Sequence, residues 1–154
     1  MAKGAVSKMG EGRGTRFPVK RYLLDTGIVG DYMNRRNGVY GRAQAVAASG
    51  GRLGICAPVL GELWTGVFNS ATRERNLALL KRHRNQFVVW PFEERAAEQF
   101  GKITAQLIRM GRAMQQVDVQ IAAIAQCLGN CVVVSSDGDL RAVPDLDVED
   151  WSQP

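Results

Sequence analysis

Apolar residues along this chain fall into short unbroken runs, separated by longer stretches in which they recur every three or four positions. The runs predict buried strands over Arg21–Asp25, Leu53–Ala57, Phe87–Trp90 and Cys131–Val134, the last continuous in the manner of a parallel-sheet strand. Between them a helical period predicts Gly27–Arg35, with Ile28, Val29, Tyr32 and Met33 as its apolar residues and Thr26 as its cap. A second helix, Tyr40–Ala48, is expected before the break at Ser49-Gly50-Gly51. Pro58 suits a first helical turn and opens a helix to Phe68 that places Val59, Leu63 and Val67 on one face. Further helices are expected over Thr72–Arg84, Glu93–Met110 and Val117–Leu128, the last closed by a left-handed signal at Gly129-Asn130. The tail Val143–Trp151 has room for one short edge strand.

Strands alternating with helices, mostly in pairs, define an α/β sandwich around a central, mainly parallel sheet of four to five strands. In such a sheet functional groups gather beyond the carboxyl ends of the strands. Five acids fall there. Asp25 ends the first strand, and Glu62 lies about one turn into the helix after the second. Asp118 opens its helix and shares a face with Ile121, Ala122 and Ala125, while Asp137 and Asp139 follow the fourth strand in VVVSSDGDL. Each has a structural account by itself: a helix cap for Asp25 and Asp118, an arginine partner for Glu62, a turn for Asp137. Their joint placement points to chemistry, because carboxylates brought together repel one another and a divalent cation is the simplest remedy. Oxygen donors with no His or Cys set select Mg²⁺ or Mn²⁺ over zinc.

Rival chemistries fit less well. LLDTGIVG, Leu23 to Gly30, carries the Asp-Thr-Gly of an aspartic protease, but that enzyme is a β protein and the residues after Gly27 have helical periodicity. A histidine-based ribonuclease needs a pair, and His83 stands alone in the basic run KRHR, where a solvent-facing role is expected. Cys56, Cys127 and Cys131 show no CxxC spacing and are expected as buried, reduced thiols.

With 154 residues, 45% of them hydrophobic, the chain is long enough for one packed core, expected over 21–154. The net charge of +5 is concentrated at the start. Residues 1 to 21 carry six basic side chains against Glu11, and the remainder balances at fourteen of each sign. Residues 1–20 therefore form a basic segment too poor in apolar surface to fold alone, expected to be disordered and able to touch nucleic acid. No apolar run approaches the roughly 20 residues of a membrane span and no signal-peptide core is evident, so cytoplasm is the expected location. Arg73, Arg75, Lys81, Arg82 and Arg84 along one helix, with Arg35 and Arg36 ending the first, are candidates for phosphate contacts.

From Arg21 to Trp151 the chain resembles a PIN-domain ribonuclease of the VapC toxin type. The matching motifs are YLLDT at Tyr22–Thr26, Glu62-Leu63, VDVQIAAIA at Val117–Ala125, SSDGDL at Ser135–Leu140 and VPDLDVEDW at Val143–Trp151. It departs from the family at Gly27, where Asn or Ser is usual, at Ser135, where Thr is usual, and at Leu140, often Phe. The resemblance implies a three-layer PIN-like sandwich and cleavage of tRNA or rRNA that arrests translation. Asp25, Glu62, Asp118 and Asp137 would hold Mg²⁺ or Mn²⁺, with Thr26, Ser135 and Asp139 in support. It also implies a homodimer and a small VapB-like antitoxin whose tail lies along the cleft; Trp64, Phe68 and Tyr32 could line that groove, although core packing is the default for aromatics at helical spacing. The alternative is a degenerate PIN-fold module that sequesters RNA or a protein without cutting, for which Gly27 is the best support.

Overall fold

The computed structural model describes residues 18–154. The elements follow in the order β1 (Arg21–Leu24), α1 (Thr26–Met33), α2 (Val39–Ala48), β2 (Arg52–Cys56), α3 (Ala57–Phe68), α4 (Arg73–His83), β3 (Val88–Trp90), α5 (Glu94–Arg109), α6 (Gln116–Leu128), β4 (Cys131–Val134) and β5 (Asp147–Glu149). Short 3₁₀ turns at Arg84–Gln86 and Gly138–Ala142, unforeseen in the sequence, join α4 to β3 and lead from β4 towards β5. Every element expected from the apolar pattern is present within one or two residues of its predicted bounds. The expectation for the basic segment 1–20 lies outside the described residues, save for exposed Pro18–Lys20.

All five strands are parallel, in the order β3-β2-β1-β4-β5. The chain steps from β1 outward to β2 and β3, then crosses back through α5 and α6 to lay β4 on the other side of β1. With right-handed crossovers, this puts α1–α4 on one face and α5–α6 on the other, giving three layers. The sheet order reverses between β1 and β4, the position where open α/β sheets form a crevice beyond the strand ends. Leu24 pairs with Val134 there, Asp25 N–H donates to Val134 C=O at 2.9 Å, and Ser135 N–H donates to Glu149 C=O at 2.9 Å. Register thus brings the residues just after β1 and β4 side by side.

The core explains why the helices take these faces. Val59, Leu63 and Val67 of α3 are buried as their four-residue spacing requires, and α6 buries every residue from Ile121 to Ala125. Two expectations are corrected. Thr26 does not cap α1: Asp25, in extended conformation, is the N-cap and accepts Thr26 N–H at 2.8 Å, while Thr26 is the first helical residue. Nor does His83 face solvent. It stands three residues after Leu80 on the inward stripe of α4, is 5% exposed, meets the Tyr32 ring edge-on and shares a 2.9 Å hydrogen bond through Nδ1 with Gln86 Oε1. Tyr32 is a core residue as well, donating its hydroxyl to the same Gln86 oxygen at 2.7 Å.

On β2, Gly54 lies under the flat of Trp90, its diagonal neighbour on the edge strand. A Cβ at Gly54 would come 2.3 Å from Trp90 Cζ3 and 2.6 Å from Cη2. Glycine is required there by the ring. Gly54→Ala is therefore expected to destabilise the fold by about 1–3 kcal/mol, the usual cost of overpacking. Urea unfolding of the two proteins measures it, and an unchanged midpoint would show that the indole moves aside freely.

Candidate active site

Beyond the carboxyl ends of β1, β2 and β4 a chain of polar contacts runs from α3 to the turn after β4. Thr26 Oγ1 donates to Glu62 Oε1 at 2.7 Å, tying the start of α1 to the second turn of α3. Asp25 follows directly in sequence, and its Oδ2 accepts the Ser135 hydroxyl at 2.7 Å. Ser135 Oγ in turn accepts Asp137 N–H at 3.0 Å, and Asp137 Oδ1 accepts Asp139 N–H at 2.9 Å, capping the 3₁₀ turn. Ser135 is only 1% exposed, so one buried hydroxyl both orients the Asp25 carboxylate and fixes the loop that carries Asp137. Glu62, Asp137 and Asp139 are exposed, and Asp25 and Asp118 are half-buried.

Asp118 enters from the opposite layer, as the third residue of α6. The N-cap of α6 is Gln115, so Asp118 is not the cap of the helix it was expected to open. Burial pushes the Asp118 carboxyl up to about 6, and the charges of Asp25, Asp137, Glu62 and Asp139, in that order, add to the shift. Four of the other acids therefore act on the fifth. Beneath them, at the end of β2, burial pushes the Cys56 thiol up to about 11, with Asp25 and Glu62 raising it further. Cys56 is fully buried, so the accessible donors here are carboxylate and hydroxyl oxygens.

Among the described residues no three His, Cys, Asp or Glu side chains converge as a ready-made metal cage. The hydroxyls of Thr26 and Ser135 instead donate to one carboxylate each, Glu62 and Asp25. Oxygen donors spaced in this way suit a hard cation that keeps much of its water and takes one or two carboxylates directly, as Mg²⁺ does. Beside them, a Cβ built at Gly27 meets nothing within 4 Å, so room for a side chain stands open next to Asp25 and Thr26.

The basic candidates are spread more widely. Arg36 pairs with Asp31 at 3.6 Å, the Arg35 guanidinium lies 3.2 Å from the Tyr40 ring centroid, and Arg73 Nη2 donates to Phe68 C=O at 2.8 Å. Arg75, Lys81 and Arg82 are exposed on α4, and Arg84 is half-buried in the turn after it. On α3, Phe68, which periodicity assigns to packing by default, is 57% exposed.

The central five-stranded parallel sheet flanked by helices matches a PIN-like fold, and residues 22–146 match the PIN domain family model. The chain belongs to the PIN-domain family, and within it to the VapC group. It is 31% identical over 132 residues to the tRNA(fMet)-specific endonuclease VapC of Shigella flexneri, covering 86% of this chain and 98% of that protein. Ribonuclease VapC2 of Haemophilus influenzae is 28% identical, with coverage of 85% and 98%. Among solved structures, DNA-bound VapBC from Salmonella typhimurium superposes with a TM-score of 0.78 at 28% identity over 86% of this chain and 99% of that one. VapBC2 from Rickettsia felis, bound to a promoter DNA fragment, gives 0.79 at 24% identity over 85% and 98%, a likeness of fold.

The raised pKa of Asp118 has a consequence for stability. The folded carboxyl binds its proton more tightly than the ordinary value of 3.8 describes, so between about pH 4 and pH 6 the folded state holds more protons than the unfolded one. Stability of the metal-free protein is lost as pH rises through that window. Asp118→Asn removes the charge at nearly constant volume, and is expected to be more stable than the parent at pH 7.5 in EDTA and little different at pH 4. Thermal melts at the two pH values check this; a variant less stable at both would show that the carboxylate holds α6 in place.

Proposed function

We propose that the chain is a Mg²⁺- or Mn²⁺-dependent endoribonuclease, the toxin of a VapBC-type pair, which cleaves tRNA or rRNA, arrests translation and is held in check by a small VapB-like antitoxin. The single observation that carries this reading is the acidic crevice at the switch point, where Asp25, Glu62, Asp118 and Asp137 surround the ends of β1, β2 and β4. The names of the relatives, ribonuclease and tRNA(fMet)-specific endonuclease, support the reaction class, and the VapBC complexes among the solved structures support an antitoxin partner. A second copy of the chain is the other partner proposed. No helix among the described residues is long and apolar enough to cross a membrane.

Asp25, Glu62, Asp118 and Asp137 would hold the cation, directly or through water. When bound, such a cation supplies Lewis acidity: it lowers the pKa of water for attack on the scissile phosphate and offsets the charge that develops there. The chain's own groups do the rest. Ser135 and the Thr26 N–H fix both oxygens of Asp25, and the Thr26 hydroxyl fixes one oxygen of Glu62, so neither carboxylate must reorganise when substrate arrives. Asp118 carries a proton below about pH 6 and must release it before its carboxylate joins the donor set. Exposed Arg75, Lys81 and Arg82 supply positive charge outside the acidic crevice, where a polyanion would otherwise be repelled.

Cleavage of a tRNA and rRNA panel by antitoxin-free protein is expected to vanish in EDTA, return with Mn²⁺ or Mg²⁺, and decline below about pH 6. Undiminished cleavage in EDTA would overturn the metal mechanism, and binding without cleavage would leave the degenerate module as the better account. Within the site, Asp137→Asn is expected to lose about 10- to 100-fold in activity or metal affinity, as disturbed site shells do. Asp139→Asn should lose distinctly less, since Asp139 gives its backbone N–H to the Asp137 carboxylate and ranks last among the charges acting on Asp118. A Mn²⁺ titration of both variants decides the assignment; if Asp139→Asn is the more damaged and excess metal rescues it, the fourth ligand is Asp139.

A further inference from the structure

The acids account for hydrolysis, but nothing in them selects one RNA position over another. Four large hydrophobic side chains are exposed among the described residues, and one of them, Phe68, is aromatic and lies on the helix that carries Glu62. It does not stand alone. The Trp64 and Phe68 rings are stacked, with centroids 5.6 Å apart and planes 20° from parallel, whereas the other aromatic pairs are tilted or edge-on. Their four-residue spacing on α3 places one ring above the other. The Arg73 guanidinium lies over the Phe68 ring, 6.0 Å from its centroid, and is anchored by its 2.8 Å bond to Phe68 C=O, so a cation is fixed facing the stack.

We infer that the Trp64–Phe68 stack, flanked by Arg73, is a platform on which one unpaired base of the RNA stacks, and that it determines where the chain is cut. The inference rests on the ribonuclease reading above. Three observations favour a base over a protein side chain as the occupant. Phe68 is an exposed ring stacked on Trp64 and faced by a guanidinium, and bases stack on aromatic rings and on guanidinium planes alike, whatever their sequence. The neighbouring charge is positive: Arg73 is fixed over the ring, which suits a phosphate next to the stacked base. Finally, Phe68 is six residues from Glu62, about 9 Å along the helix axis and about a third of a turn around it. The platform therefore lies outside the acidic crevice yet on the same rigid element, so its distance from the reacting phosphate is fixed by the helix.

Phe68 is exposed, so its replacement leaves the core intact. The experiment compares wild-type protein with Phe68→Ala, Phe68→Leu and Phe68→Trp on a single-stranded RNA that the protein cleaves, and on the same RNA made abasic at one position at a time. Phe68→Ala and Phe68→Leu are expected to raise KM roughly 5- to 100-fold, the range of one base–aromatic stack, with kcat little changed, while Phe68→Trp retains wild-type values. One abasic position should impose the same loss on the wild type and no further loss on Phe68→Ala, as expected when both changes remove one interaction. Equal KM for all four proteins on RNA they cleave would overturn this inference alone. So would a leucine variant as good as wild type, or an alanine variant whose only change is in oligomeric mass or antitoxin affinity, either of which makes the patch a protein contact. If neither single-stranded RNA nor any RNA of the tRNA and rRNA panel is cut or changes the fluorescence of Trp64, judged against Trp64→Phe, the ribonuclease reading falls with it.

Discussion

Like-charge crowding at one end of a parallel sheet is the constraint around which this molecule is organised. The strand order sends the chain away from β1 on one side and returns it on the other, so whatever follows β1 and β4 must share a crevice. Here those residues are Asp25 on one side and Ser135, Asp137 and Asp139 on the other, while α3 brings Glu62 and α6 brings Asp118. Asp118 registers the cost, its carboxyl being raised to about 6 by burial and by four neighbouring acids. No ion pair between a basic residue and any of these five acids is present among the described residues, whose two ion pairs, Arg36–Asp31 and Lys102–Glu98, lie elsewhere.

Hydroxyls, rather than opposite charges, orient two of the acids, Glu62 and Asp25. Thr26 joins α1 to α3, and Ser135 joins the end of β1 to the loop after β4, linking residues 36 and 110 positions apart in the chain. A hydroxyl suits this task because it donates to a carboxylate and can still accept a backbone N–H, as Ser135 does from Asp137. It adds no charge of its own. An arginine in the same place would neutralise one of them and compete with a cation for it.

Most of the fold was legible because the apolar signal is strong where burial is nearly complete. CVVV over β4 and IAAIA within α6 can be read from composition alone, and the register of β1 on β4 follows once both are strands. The acids were legible as a set because parallel topology assigns them to one end. What sequence did not settle was local choice between neighbours. Asp25 and Thr26 are both able to cap a helix, and only the hydrogen bond from Thr26 Oγ1 to Glu62, a tertiary contact, assigns the cap to Asp25. His83 looked solvated because three charged residues surround it in KRHR, although its spacing from Leu80 already placed it inward. Phe68 is the reverse case: period favours packing, yet as the last residue of α3 it has no helix over it and remains exposed.

The site residues therefore differ in how far chemistry and folding are separable. Glu62, Asp137 and Asp139 are exposed, so their carboxylates lose little hydration on folding and can serve a cation or substrate without burdening the core. Asp25 caps α1 and receives Ser135, and Asp118 occupies the first turn of a helix whose next residues are buried; both are bound into the scaffold they act upon. Ser135 is the most committed, since its hydroxyl is inaccessible and serves two partners at once, and alanine there would strand the Asp137 N–H and free an oxygen of Asp25 together. The rigid half of the crevice thus sits at the switch point between β1 and β4, and the adaptable half lies at its rim. A cation meeting this arrangement would find Asp25 and Glu62 already oriented by hydrogen bonds and the exposed carboxylates of Asp137 and Asp139 at the rim, an arrangement that suits the proposed hydrated ion.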